Sequence, residues 1–334
     1  MKTTSIMVQS LIVPCYCHCR YCLLSWDGKT IGCNYKRSEE YALRFHDWLV
    51  ENRPQIDFNF SFGYSMEHPD LLEAIDFQNS IGSVSGRFLQ MNGLRFRSDE
   101  DKQKMMNDIK CHGVKAVNFT LYGAKEYHDK FASRQGDYQH VMSLIDAAKQ
   151  AGLDVSVGIA LTGENYIQMD ELVENIRKHE IDDIRLFIPH EEGRGITLEE
   201  SRLLLQQYQQ LSGEVKELLN RNAYRTEAEW IASTDVPPET KRSLLISLSE
   251  ENITQFEQMG FEKVIKYVES LDEQYYNTIP KFTDLLKQYG DPNGQRLYSK
   301  RDIFQHYQKK YLSDNNIDIY DATDERQCGS RRFN

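Results

Sequence analysis

The sequence has no run approaching the ~20 consecutive apolar residues of a membrane-spanning helix, so a membrane span is set aside. Residues 1–13 carry one lysine and a short apolar stretch, without the small-residue cleavage site of a secretory signal. Positive charge is in the minority. There are 40 Lys and Arg against 51 Asp and Glu, a formal charge of −11. Long-range attraction to nucleic acid or to an anionic membrane is therefore disfavoured. Internal repeats and low-complexity tracts are missing too. These absences predict a soluble, cytoplasmic protein. A disulfide framework is also absent. The seven cysteines (Cys15, Cys17, Cys19, Cys22, Cys33, Cys111 and Cys328) are odd in number, and four fall within eight residues. Thiols crowded in this way in a reducing compartment bind metal or do redox chemistry, which points to an enzyme.

What is present supports a large core. Hydrophobic residues make up 40% and charged residues 27% of 334. At ~150 residues per domain, that length suggests about two domains. Strand patterns fall at 5–13, 56–62, 87–90, 116–121, 154–161 and 184–188. Helical patterns fall at 38–51, 69–80, 98–112, 138–151 and 168–179, with a long one at 198–221. Ser38 is the expected cap of the first helix. Six strands alternating with six helices predict a parallel sheet with right-handed crossovers. Beyond residue 222 strand signals fade, and 239–258, 262–271 and 300–312 read as amphipathic helices. The expected division is therefore 1–221 and 222–334. The final polar, Arg-rich residues read as a frayed tail.

The chemistry concentrates in the run Cys15-Tyr-Cys17-His-Cys19-Arg-Tyr21-Cys22, directly after the first strand. Parallel α/β barrels place their active sites at the C-terminal ends of strands. Cys15, Cys19 and Cys22 have the spacing C-x3-C-x2-C. Three thiolates on one loop can hold three irons of a [4Fe–4S] cube and leave the fourth open. Cys17 supplies a second candidate set. The competing site is zinc held by four of the thiols and His18. Structural zinc usually takes two separated ligand pairs, and the sequence offers no second pair, so the spacing favours iron–sulfur.

This loop resembles the cluster loop of the radical S-adenosylmethionine superfamily, C-x3-C-x-aromatic-C, with Tyr21 as the aromatic residue. Further segments match in order. Residues 58–75 resemble the second strand, glycine turn and helix. Residues 89–93, LQMNG, resemble a T-N-G segment with Met91 in place of Thr. Residues 118–142 resemble the S-L-x-G…H-D…G-x-F segment of the peptide-modifying (SPASM-type) branch, and 184–195 the sixth strand with its G-R-G turn. The resemblance spans about residues 5–215. It implies a partial (β/α)6 TIM-like barrel followed by a mostly helical C-terminal domain.

It also implies a [4Fe–4S] cluster on Cys15, Cys19 and Cys22, whose open iron chelates S-adenosylmethionine. Reductive cleavage would then give a 5′-deoxyadenosyl radical that abstracts a hydrogen atom. Tyr21 would lie near the adenine, Gly63 would offer backbone to the methionine amino group, and Thr120 would bond the carboxylate. Arg134 would pair with that carboxylate and Ile188 would contact the adenine. The family's G-G-E turn reads Phe62-Gly63-Tyr64 here, so Tyr64 stands in place of the acidic residue and Glu67 is the nearest substitute. Each residue also has a plainer reading: turn glycines at Gly63 and Gly93, a strand residue at Thr120, core packing at Tyr21, a surface ion pair at Arg134. His68, His128 and His140 read as surface or helix-edge residues, and Cys33 and Cys111 as buried inert thiols. Cys17 reads as a non-ligand.

Cys328-Gly-Ser-Arg-Arg resembles the opening of an auxiliary-cluster module whose remaining cysteines this sequence lacks. Cys328 is alternatively a hydrogen-atom donor. The resemblance implies an electron donor of the reductase, flavodoxin or ferredoxin type, and a peptide or protein substrate such as a precursor peptide. A small molecule or nucleotide on the same barrel, and a zinc-stabilised binding module, are the alternatives. Residues 222–334 are expected to cover part of the barrel mouth, since a radical enzyme must shield its intermediate from solvent.

Overall fold

Runs that alternate apolar and polar residues form the strands, and runs with apolar residues three or four apart form the helices that cover them. The computed structural model describes residues 1–10, 15–22, 33–63, 66–191, 193–233 and 241–319. Tyr64 and Cys328 lie outside the described residues. The first half contains β1 (Lys2–Ser10), α1 (Tyr35–Asn52), β2 (Asp57–Ser61), α2 (Leu71–Ser80), β3 (Phe88–Gln90) and α3 (Asp99–Cys111). Then come β4 (Ala116–Leu121), α4 (Lys125–Ala132), α5 (Asp137–Gln150), β5 (Asp154–Ala160), α6 (Met169–Arg177) and β6 (Asp183–Phe187). A 3₁₀ stretch, Gly193–Ser201, leads to α7 (Leu205–Gln210), α8 (Gly213–Glu217), β7 (Tyr224–Thr226), α9 (Glu227–Ala232) and β8 (Lys241–Leu248). The remainder is α10 (Ile253–Met259), α11 (Phe261–Thr278), α12 (Phe282–Tyr289), β9 (Leu297–Ser299) and α13 (Lys300–Asp314).

The strands form two parallel sheets, β2-β1-β8 and β3-β4-β5-β6, and a small antiparallel pair, β7-β9. All six expected strands are present, but β1 is not at an edge. Residues 239–258, expected as a helix, contain β8, which pairs in parallel along β1 from Lys2↔Lys241 to Ser10↔Leu248. Leu244, Ile246 and Leu248 are buried with Ile6 and Val8 of β1 and Phe45 and Leu49 of α1. The segment KRSLLISL carries both periodicities, and the unpaired edge of β1 decides between them. Among the described residues of this segment, only those of α10 are helical.

The expected long helix at 198–221 is also corrected. Leu203 and Leu205 exchange backbone bonds with the 295–297 segment, Leu297 N donating to Leu203 O at 2.9 Å and Leu205 N to Gln295 O at 2.9 Å. That extended pairing breaks the helix, and Ser212 restarts it as a cap on Val215 N. Asn34, not Ser38, caps α1. Ser38 is buried against Cys33 at 2.6 Å. Helix α4 had no counterpart in the sequence pattern.

A larger core lies between β3–β6 and their helices, around Ile75, Met106, Phe119, Leu144 and Ile159. A separate cluster, with Trp230, Tyr275, Phe282, Leu285, Tyr298 and Tyr307, holds α9 and α11–α13 together. Among the described residues no helix is long and apolar enough to cross a membrane.

Candidate metal centre at the strand ends

The positions singled out in the sequence collect at the C-terminal ends of the parallel strands. The cysteine loop follows β1, Gly63 follows β2, Asn92 and Gly93 follow β3, Thr120 is the penultimate residue of β4, and Ile188 follows β6. Three backbone bonds fasten the loop. Tyr16 N donates to Gly93 O at 2.9 Å, His18 N to Ala132 O at 2.9 Å, and Arg20 N to Phe131 O at 3.0 Å. The last two acceptors lie in α4, so the unforeseen helix is the platform on which the loop rests. At its far end Arg194 N, in the G-R-G turn, donates to Cys22 O at 3.0 Å.

Gly93 has φ +75°, which a side chain rarely adopts, and a Cβ there would lie 2.3 Å from Cys15 Sγ. The missing side chain makes the cradle for Cys15. Cys15, Cys19 and Cys22 are all partly exposed, whereas Cys17 is buried. The Cys17 thiol donates to Asp137 Oδ2 at 3.6 Å. Three partly open thiols on one loop, with a glycine cradle behind one of them, form a donor set that fits a [4Fe–4S] cube. The Cys15 thiol is held well above its ordinary range, first by hydrogen bonding with Cys17 and then by burial. A coordinated cation is what converts such a thiol to thiolate.

Behind the loop runs a buried polar network that the sequence did not reveal. Arg134 is nine-tenths buried, stacks 3.9 Å over the Phe96 ring, and donates to Leu94 O at 2.6 Å and to Asp137 Oδ1 at 3.1 Å. Asp137 Oδ2 lies 3.0 Å from His128 Nε2. Tyr122 N donates to His128 Nδ1 at 3.2 Å, which leaves Nε2 to carry the proton toward Asp137. Burial pushes the Asp137 carboxyl up, but the His128 hydrogen bond and Arg134 outweigh it and hold the group below the usual carboxylate range. His128 and His140 are therefore core residues, not surface ones, while Cys111 is exposed rather than buried. Asp137 is 120 residues from Cys17 in sequence, and no local pattern links the two.

Thr120 is buried at the tip of β4. Asn92 clamps its backbone, accepting from Thr120 N at 2.6 Å and donating to Thr120 O at 2.9 Å. The Thr120 hydroxyl accepts from Gln90 Nε2 at 3.2 Å. Among the described residues no acceptor takes its proton. Tyr21 packs on Tyr122, Phe131 and Phe187, with ring centroids 5.4, 5.9 and 6.1 Å apart. Gly63 has φ +72° and donates to Ser61 Oγ at 3.2 Å. Ile188 is buried, its N–H donating to Tyr224 Oη at 3.4 Å. Glu67, the substitute for the missing acid, is already engaged. Arg97 grips it in a fork at 2.6 and 2.7 Å, and Arg95 N donates to it at 2.8 Å.

Residues 11–176 match the family model described as the Radical SAM superfamily. No curated protein matches the chain. Among solved structures, the chain is similar to Streptococcus suis SuiB bound to precursor peptide SuiA, at 12% identity over 73% of this chain and 58% of that one, TM-score 0.49. It is similar to native anSMEcpe with bound AdoMet at 14% identity, over 64% and 60%, TM-score 0.47. Against coproporphyrinogen III oxidase (HemN) from Escherichia coli, a radical SAM enzyme, the identity is 10% over 67% and 54%, TM-score 0.44. The matched region spans between 39% and 60% of the length of the solved chains. The family works with a [4Fe–4S] cluster and S-adenosylmethionine, the chemistry that the thiol loop and the strand-end positions fit. On the match over 11–176, this chain belongs to the radical SAM superfamily and is an enzyme.

Proposed function

We propose that Cys15, Cys19 and Cys22 hold the cluster, and that the enzyme abstracts a hydrogen atom from a peptide or protein substrate. When bound, the cluster supplies the electron and S-adenosylmethionine the sulfonium it cleaves. The observation that carries the ligand assignment is the division among the cysteines. Cys17 is buried and bonded to Asp137, while the other three remain partly open at the end of β1.

The chain's own groups would then divide the work. Thr120, with an uncommitted hydroxyl proton, donates to the methionyl carboxylate. Gly63, in a conformation without steric demand, lets backbone approach the amino group. Tyr21 and Ile188 offer apolar surface to the adenine. Arg134 holds Asp137 and the loop beneath, and its charge reaches the carboxylate only through space. The peptide class rests on the likeness of residues 118–142 to the peptide-modifying branch. That segment builds β4, α4 and α5, the platform of the loop.

We also propose that the C-terminal region shields the mouth beside β6. Asp302 of α13 lies 2.9 Å from His190 Nδ1 and accepts from Glu191 N at 3.3 Å, directly beyond the Ile188 position. The test is iron content after anaerobic reconstitution. Cys15→Ala, Cys19→Ala and Cys22→Ala should each lose the cluster and S-adenosylmethionine cleavage, and Cys17→Ala should keep iron near wild type. Loss of iron in Cys17→Ala with retention in Cys15→Ala would overturn the assignment.

A further inference from the structure

We infer that the Tyr122 hydroxyl donates a hydrogen bond to the Cys19 thiolate and thereby raises the reduction potential of the cluster this thiolate would hold. The inference rests on Cys19 being a ligand, as proposed above. Tyr122 Oη lies 3.1 Å from Cys19 Sγ. The residue is 2% exposed. Among the described residues, Cys19 is the hydrogen-bond partner of its hydroxyl. Between two neutral groups either atom could donate. A thiolate bound to iron carries no proton, so the phenol must be the donor.

The donor is held in place from every side. The Tyr122 ring stacks on His128 at 4.8 Å and on Phe131 at 4.7 Å, and meets Tyr21 edge-on at 5.4 Å. Its backbone is fixed at both ends, N donating to His128 Nδ1 at 3.2 Å and O accepting from Asn165 Nδ2 at 2.6 Å. The ring therefore cannot swing the oxygen away from the sulfur. Phenylalanine would fill the same aromatic cage, so the phenolic oxygen contributes something other than packing. A fixed dipole aimed at a ligand sulfur stabilises the more negative, reduced cluster over the oxidised one, and hydrogen bonds to sulfur are among the levers that set such potentials. Tyr122 is a positioning residue in this sense, because it acts through Cys19.

The experiment is a redox titration followed by electron paramagnetic resonance on the reconstituted full chain. Tyr122→Phe should retain wild-type iron content and shift the midpoint to more negative potential. The expected change is an about three- to tenfold lower equilibrium constant for one-electron reduction, tenfold being about 59 mV. A fluorinated tyrosine at position 122 keeps the shape and donates more strongly, so it should shift the midpoint the other way. If Tyr122→Phe fails to assemble a cluster, the fluorinated variant decides alone. An unmoved midpoint in a loaded variant overturns the inference and leaves the ligand assignment standing. A wild-type chain that takes up no iron overturns the assignment, and the inference with it.

Discussion

At the residue scale, two positions at the strand ends carry sharp expectations. Gly93→Ala forces a Cβ to within 2.3 Å of Cys15 Sγ at a φ that disfavours any side chain. The loop must move, so iron uptake on reconstitution should fall well below wild type while the far-ultraviolet spectrum is retained. Wild-type iron content in this variant would remove the cradle role. Thr120→Val keeps the strand shape and deletes the hydroxyl. A hydrogen bond to a charged group contributes about 1.5–3 kcal/mol, so S-adenosylmethionine binding should weaken about ten- to a hundredfold, measured by calorimetry on the anaerobic protein. Unchanged affinity would return Thr120 to plain strand duty. The cysteine loop and the Asn92-Gly93 turn were legible in the sequence because spacing and turn chemistry are local, whereas Gly63 and Thr120 were singled out only through the family resemblance. Asp137, His128 and Tyr122 were not. They reach the loop only once α4 and α5 fold back on it.

At the scale of elements, the same distinction explains the strand that sequence pattern missed. Lys241–Leu248 satisfies a helical reading, and its burial alternates only because β1 offers an unpaired edge. The strands of the first half were readable from their own short apolar runs, and β1, β2, β3 and β5 are followed by segments whose helical pattern was also readable. In β8 the deciding partner lies 238 residues away. Ile246 is fully buried between the β1–β8 sheet and its helices. Ile246→Ala should lower unfolding stability by about 2–5 kcal/mol in denaturant titration, the usual range for truncating a fully buried aliphatic side chain. A loss under about 0.5 kcal/mol, the level of an ordinary surface change, would show that β8 is not part of the core sheet.

At the scale of the whole molecule, the segment after β6 is joined to β9 and α13 by a buried charge cluster. Arg202 donates to Glu191 at 3.1 Å and lies 4.2 Å over the Tyr298 ring, with Asp302 beside it at 3.4 Å. Tyr298 Oη donates to Glu199, and His306 of α13 lies 3.7 Å from Glu191. Burial and the hydrogen bond shared with Glu191 push the Glu199 carboxyl up to about 7 from an ordinary 4.5. The folded state therefore binds this proton more tightly than the unfolded chain does. The contribution of Glu199 to stability is full below about pH 4.5 and is lost as pH rises toward 7. Glu191, held low, has the opposite sign. Glu199→Gln removes the first effect and retains the second. Its unfolding midpoint should fall less than that of wild type between pH 4.5 and 7. Parallel curves for the two proteins would rule out this role.

The pairing of β1 with β8 also sets an order of events during synthesis. Strand β1 leaves the ribosome first, and its second neighbour follows more than two hundred residues later. At about 5–20 residues per second, that interval lasts on the order of ten to fifty seconds. Throughout it the newborn chain presents an open strand edge immediately ahead of its cysteine loop. The delay leaves that edge open to chaperones until the last parallel strand docks.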